Sequence, residues 1–493
     1  MHGRTQRALA LLLVGLVLGV AGEVLQRWVP DRLNLVLWFT ATLLGATALI
    51  RTGALTALPP ARWLAVAAWV TIPCLIWRDS PALFGLNLLW LGVLFVVVVA
   101  TSQLRALNRI PVSALLRSAF WAVGGVIVGP LPALVHDISW NELPVAGKTR
   151  RLASVGVGFV AAVPVLVVFG GLLGSADPLF AKTVSQALSI DLWPEVQQFV
   201  RIGVIAWIGT GILRTGFWLE GRRPERAMAR PELPPTILYT FVAAIGGLLA
   251  VFVGFQAGEF FLSAQAFQAT MGMTVSEYAR KGFFELVWVA ALSLPLLHFA
   301  DWCVSRREPA AVTRFHRLTL AVIVLLALIL ASAFYRMVLY GSLYGLTELR
   351  FYTIAFMLWL AGVFGWFGMT VLRGRRSRFV PGTLAGAFAV LLTLNVINPD
   401  ALIATVNLDR AHAGAALDRT YLVQLSADAV PTMLRAVPGM SAEDRCLVMQ
   451  GLQRRWGQDS KAGREWNLSR RSAARELTGV RAPMPGCRAH ETR

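Results

Sequence analysis

Charge is what this sequence lacks most: 15% of its 493 residues are Asp, Glu, Lys or Arg, against about a quarter in ordinary soluble chains. With 56% apolar residues and a mean hydropathy of +0.61, the soluble globular class is excluded and a polytopic membrane protein is indicated. Lysine is scarce as well. Lys148, Lys182, Lys281 and Lys461 are the four lysines among 46 basic residues, so the basic groups are mostly arginine, which suits clamping of phosphate or carboxylate. The net charge of +19 sits largely in short loops beside apolar runs, which excludes a solution nucleic-acid binder and makes lipid the first partner. Cysteine is sparse. Cys74 and Cys303 fall in or beside apolar runs and Cys446 and Cys487 in the polar tail, and no CxxC or Cys/His spacing for zinc exists. Walker A, HExxH and GxSxG motifs are missing too, so ATP-driven pumping, zincin proteolysis and elbow hydrolysis lose support, and no cofactor or metal is expected.

What is present is a succession of long apolar runs, each set against the roughly 20 residues that cross a hydrocarbon core. Ala8 to Gly22, Leu33 to Ile50, Trp63 to Trp77 and Pro81 to Leu104 form a first group within residues 1–117. The first run has the Arg-bearing start and small residues of a signal peptide, but more membrane follows, so it reads as an uncleaved anchor. Ser118 to Val135 is uncharged yet broken by Gly124, Gly125, Gly129, Pro130 and Pro132, and reads as a re-entrant or interfacial hairpin within residues 118–151. Seven spans follow within residues 152–410: Leu152 to Gly174, Val200 to Trp218, Leu233 to Gly258, Gly282 to Ala300, Leu318 to Tyr340, Leu349 to Leu372 and Val380 to Ile397. The expected fold is therefore an all-α transmembrane bundle of about eleven spans, with residues 411–493 as a small helical domain.

Orientation follows from Lys and Arg in the loops. Arg105/Arg109/Arg117, Lys148/Arg150/Arg151, Arg222/Arg223/Arg226/Arg230, Arg306/Arg307/Arg314/Arg317 and Arg373/Arg375/Arg376/Arg378 share one side if Ser118 to Val135 returns to the face it left. The positive-inside rule makes that side the cytoplasm, with the N-terminus inside and the tail from Asn398 outside. The tail carries 14 Lys plus Arg against 10 Asp plus Glu, but long segments translocate largely regardless of charge. On an oxidising face, Cys446 and Cys487 are in a position to pair, closing a loop of about 40 residues worth roughly 3–4 kcal/mol.

Ionisable residues in or beside spans carry the functional reading, because each costs a few kcal/mol at the bilayer centre without a partner or water. Asp177 precedes Pro178 as a helix start, and Thr274-Val275-Ser276-Glu277 is a capping-box pattern with Glu285 further along the same run. Glu259 ends a span, Arg336 lies about one turn from the end of another, and a turn from Gly341 to Gly345, with Tyr344 in it, leads to Glu348-Leu349-Arg350. Asn398, Pro399 and Asp400 end the last span and open a helix on which Asp400, Asn407 and Arg410 share a face. Helix caps, ion pairs and an aromatic interface belt explain each residue singly. Together they make an outer-side polar site in which Arg336 and Arg350 bind an anion and Glu259, Glu285 or Asp400 pairs with them or takes a proton. Arg201 and Arg214, roughly 20 Å of helix apart, read as snorkelling to opposite interfaces.

Tyr344-Gly345-Leu346-Thr347-Glu348-Leu349-Arg350, Asn398-Pro399-Asp400 with Asn407 and Arg410, Ala176-Asp177-Pro178, and Leu425-Ser426-Ala427-Asp428-Ala429-Val430-Pro431 resemble bacterial multi-pass membrane proteins of domain-of-unknown-function family 4173, related to family 4153. The resemblance runs over roughly Leu152 to Pro431 and leaves the first four spans outside it. It implies a bacterial inner-membrane protein and supplies no catalytic residue. The reading that follows is binding or transport of an anionic, envelope-associated ligand such as a lipid headgroup. Its alternatives are an outer-leaflet transferase on a lipid-linked substrate with a carboxylate base, or a sensor or scaffold whose tail recruits a partner.

Overall fold

The computed structural model describes residues 2–28, 31–56, 59–104, 112–139, 158, 169–189, 194–218, 233–260, 283–304, 308–457 and 466–479. Regular structure among them is helical, with one isolated bridge between Leu233 and Val304. Nine of the described helices are long and apolar enough to cross a membrane, and two shorter apolar helices cover Arg62–Trp77 and Ala114–Val128. The chain is an all-α polytopic membrane protein. Most of the run Leu152 to Gly174 lies outside the described residues, as do Thr274 to Glu277 and Cys487.

Two compact units divide the chain: residues 1–225 with 458–471, and residues 226–457 with 472–493. In the first, α1 (His2–Trp28), α2 (Asp31–Arg51), α3 (Pro59–Trp77) and α4 (Pro81–Leu104) follow the four apolar runs. Then come α5 (Val112–Val128), α6 (Pro130–Val135), α7 (Pro178–Ser189) and α8 (Pro194–Phe217). Helices α1 and α8 pack antiparallel, as the pairs Arg201 to Glu23 at one end and Gly15 beside Thr210 further along require. Apolar surface drives helices into lipid but not onto each other, so close backbone approach through small residues sets this contact. A Cβ added to Gly19 would lie 2.5 Å from the Ile202 carbonyl oxygen.

Buried carboxylates mark both ends of this unit. Asp137 takes Arg4 on one oxygen and Arg214 on the other, at 2.6 and 2.7 Å. Glu23 takes Arg201 and Arg27, each at 2.8 Å. Arg201 and Arg214 are therefore held by ion pairs, to Glu23 of α1 and to Asp137 just after α6, where snorkelling alone was expected. Asp79, in the α3–α4 turn, takes Arg470 and Asn467 from the tail segment of this unit at 2.6 and 2.8 Å, while Arg32 donates to the backbone beside it. The segment Ser118 to Val135 breaks at Gly129 between α5 and α6. Ser118 bonds Gln103 near the end of α4, and Asp137 bonds the start of α1 and the end of α8, so both ends of the segment return to the same end of the unit.

The second unit holds α9 (Pro235–Phe260), α10 (Phe283–Cys303), α11 (Pro309–Tyr344), α12 (Glu348–Thr370) and α13 (Phe379–Ile397). With 36 residues, α11 runs for about 54 Å at 1.5 Å per residue and overshoots a hydrocarbon core of roughly 30 Å. It stays helical through Tyr344, so the expected turn Gly341 to Gly345 shrinks to Gly345 at φ +82°. Asp301 at the end of α10 receives Arg376 from the α12–α13 junction and faces His316 of α11 at 3.2 Å. The Arg373 to Arg378 cluster thus stands at the Asp301 end and Gly345 at the other. Beyond α13, α14 (Pro399–His412), α15 (Arg419–Gln424), α16 (Val430–Ala436), α17 (Ala442–Trp456) and α18 (Leu468–Gly479) follow, and one core runs from Ile403, Ala404 and Leu408 through Leu422, Leu425, Val430 and Met433 to Val448 and Leu452.

Candidate functional site

The Gly345 end of the second unit gathers most of the residues singled out by sequence. The last carbonyls of a helix have no partner inside it, and cations or amides near the C-terminus satisfy them. At the end of α11, Arg410 donates to the carbonyls of Ser342 and Leu343 at 3.1 and 2.7 Å, and Arg350 donates to that of Gly345. Asn407 pairs with both backbone groups of Leu346, donating to its carbonyl and accepting from its N–H, each at 2.8 Å. Arg350 also lies 4.3 Å from the centre of the Tyr340 ring, which packs against the half-exposed Tyr344. These contacts make Arg350, Asn407 and Arg410 a cap that fixes the α11–α12 turn. A Cβ on Gly345 would meet Asn407 Oδ1 at 2.6 Å, so glycine serves both the positive φ and the close approach here.

One layer away, the tail closes over the start of α14. Asn398, at φ +59°, accepts from Ala401 N–H as a helix cap and donates to the Asp428 carbonyl at 3.2 Å. Asp400 is fully buried; its Oδ2 accepts from the backbone N–H of Ser426 at 3.2 Å and from the Ser426 hydroxyl. That same hydroxyl lies 3.0 Å from Asp428 Oδ2. Asp400 Oδ1 is buried with no hydrogen-bond partner among the described residues. Burial, with help from the charges of Glu348 and Asp428, pushes the Asp400 carboxyl up to about 7 against the opposing Ser426 hydrogen bonds. Tyr421 accepts from Glu348 N–H at 2.7 Å, and burial first, then the charges of Glu348 and Asp400, push its hydroxyl up to about 12.

Other expected residues lie elsewhere. Arg336 is 9% exposed on the packed face of α11. Glu285 is exposed in the first turn of α10. Glu259 ends α9, and its side chain lies outside the described residues. Asp177 belongs to the first unit and caps α7, accepting from Leu179 N–H at 2.7 Å. Cys446 is disulfide-bonded, and Cys74 and Cys303 are free and buried.

Sequence reasoning passed over two polar residues at membrane depth. Gln256 of α9 and Ser332 of α11 are 5% and 6% exposed, and Gln256 Nε2 and Ser332 Oγ have no hydrogen-bond partner among the described residues. Helices α9 and α11 run parallel in this region: Tyr239 donates to the Ala311 carbonyl, and Gly246 abuts Val322. Gln256 lies ten residues beyond that contact on α9, and Ser332 lies ten residues beyond it on α11, one turn before Arg336. Neutral amides and hydroxyls leave no trace in a charge count; a search for any hydrogen-bonding side chain within an apolar run finds them.

Residues 64–436 match the family model described as Domain of unknown function (DUF4153). The motifs resemble family 4173, and the family matched is the one named with it as related; the match reaches further towards the N-terminus than those motifs, taking in most of α3 and all of α4. No curated protein matches the chain, and no solved structure does.

Proposed function

Because the chain belongs to the family Domain of unknown function (DUF4153), a description that names no activity, we propose a role from its geometry: a bacterial inner-membrane protein that binds or transports an anionic, envelope-associated ligand at Arg336. One observation carries this reading. Two buried donors, Gln256 Nε2 and Ser332 Oγ, have no partner among the described residues, and Ser332 stands one turn before the buried Arg336 on α11 in a unit with exposed apolar side chains. A hydroxyl one helical turn from a guanidinium suits a phosphate or carboxylate oxygen. Arg350, Arg410 and Asn407 drop from the expected ligand set, since removing them would uncap α11. Expected for Ser332→Ala and Gln256→Leu is about tenfold weaker retention of phosphatidylglycerol by the purified protein, and more for Arg336→Ala, read by native mass spectrometry from mixed-lipid nanodiscs. Wild-type retention in all three variants would remove the proposal.

The cytoplasmic N-terminus and extracytoplasmic tail belong to the same reading. Arg4 and Asn467 to Arg470 occupy opposite ends of the first unit, and the Arg373 to Arg378 cluster of the second unit lies opposite its Gly345 turn. The positive-inside rule then supports the assignment, and an oxidising face favours pairing of Cys446 with Cys487. Single cysteines at Ser342 and Ser377, both exposed, separate the two faces. An impermeant thiol reagent applied to intact cells is expected to label position 342 and spare 377; the reverse labelling would invert the protein and discard an outer-side site.

A further inference from the structure

A proton count at the tail leads to an assignment independent of Arg336. A serine hydroxyl has one hydrogen to give, and its other positions accept. Ser426 Oγ stands within hydrogen-bond reach of Asp400 Oδ2 and Asp428 Oδ2 together, and Asp428 N–H approaches it at 3.4 Å. If both carboxyls were ionised, one contact would set oxygen against oxygen with no hydrogen between them. Asp400 Oδ1 adds a second, separate observation: a buried acceptor with no donor among the described residues, in a residue that is 0% exposed. As an anion that oxygen would be desolvated and bare, whereas a neutral carboxylic acid avoids the penalty.

Among the described residues, the charges that act on the Asp400 carboxyl are those of Glu348 and Asp428, both of like sign. From α12 come Glu348, a like charge, and Arg350, engaged with the Gly345 carbonyl and the Tyr340 ring. Helix α15 brings Tyr421, and the turn before α16 brings Asp428. The charged residue of α16, Arg435, is exposed and donates to the Pro431 carbonyl. Helix α13 contains no titratable residue, and on α14 itself Asp409, Arg410 and His412 lie more than two turns further along.

We propose that Asp400, Ser426 and Asp428 form a proton-binding site that fastens the tail to the end of the last membrane helix, and that loss of the proton loosens this fastening. The titrating bond is the O–H of one carboxyl; the proton leaves to water, and the two carboxylates then repel across Ser426. A carboxyl held above its unfolded value stabilises the folded state fully below the ordinary carboxylate pKa, near 4, and that stabilisation is lost as pH rises through the folded value, about 7. Acid therefore fastens the tail, and mild alkali releases it.

Hydrogen–deuterium exchange of the full-length protein in nanodiscs tests this, followed on peptides covering Tyr421 to Met440 after division by the intrinsic exchange rate. In the wild type the local opening constant is expected to rise about tenfold per pH unit from about pH 5 to about pH 7 and to level off above. Asp400→Asn, uncharged at every pH, is expected to keep the low-pH protection throughout. A wild-type opening constant independent of pH would overturn the proposal, and so would an unchanged slope in Asp400→Asn. Should that variant fail to fold, infrared titration of the wild type decides: a carboxylic-acid C=O band present at about pH 6 and gone by about pH 8 supports the site, and no such band overturns it.

Discussion

Asp137→Ala is expected to destabilise the first unit by about 3–5 kcal/mol, the range for removing one partner of a buried ion pair. Asp137 is 2% exposed and receives Nε and Nη2 of Arg4 on Oδ1 and the same two atoms of Arg214 on Oδ2. Three segments that are remote in sequence meet there: the start of α1, the end of α8 and the residue pair after α6. Without the carboxylate, two guanidiniums would face each other, and that of Arg214 has a side chain only 14% exposed. Arg4 is 40% exposed, so water screens its share of the interaction. Arg4→Ala should therefore cost about 1 kcal/mol, well below Asp137→Ala. Thermal unfolding in one detergent, followed by tryptophan fluorescence, compares them. Equal losses in the two variants would mean that Asp137 is not the hub of this end.

Gly19→Ala is the second large effect, at about 2–3 kcal/mol of destabilisation from a single methyl group. The new Cβ would meet the Ile202 carbonyl oxygen at 2.5 Å, Ala206 Cβ at 2.7 Å and Ala206 N at 3.1 Å. All three belong to the main chain of α8 or to a methyl fixed on it, so no side chain can rotate away and the helices must separate. Separation at Gly19 also strains the Glu23 to Arg201 pair one turn further on. Gly92→Ala in α4 makes the control, because open space surrounds that position and alanine favours the helix by up to about 1 kcal/mol. The same unfolding experiment should move the two variants in opposite directions. A neutral Gly19→Ala would show that α1 and α8 are not in backbone contact.

Much of the fold was legible in one dimension because crossing a membrane is a local demand: a run must be apolar and long enough, whatever its neighbours. The runs at Ala8 to Gly22, Pro81 to Leu104 and Val380 to Ile397 are helices for that reason. Caps are local as well. Asp177 and Asn398 accept from N–H groups two and three residues on, and the Asn-Pro and Asp-Pro pairs announce it. Composition divides residues 411–493 from the membrane runs, yet the core joining Leu422 and Met433 to Ile403 and Ala404 is continuous across residue 411. Polarity marks where chain meets water and is silent on which apolar faces meet each other.

The candidate site separates the two kinds of information most sharply. Residue types and spacing brought Arg350, Asn407, Arg410 and Asp400 forward as polar groups beside apolar runs, which is a statement about cost in lipid. Their partners come from 61 to 68 residues away for Asn407 and Arg410, and from 26 away for Asp400. A sequence shows that a polar group needs satisfying but not what satisfies it. The sequence by itself determined a helical membrane protein, the positions of its described apolar helices and the starts of several of them, because hydropathy and capping act within a few residues. Only the tertiary structure decided that three of the four became a cap and its neighbours while Asp400 met Ser426 and Asp428. Hydrogen bonds and ion pairs act over about 3 Å in space, and only packing decides which groups come that close.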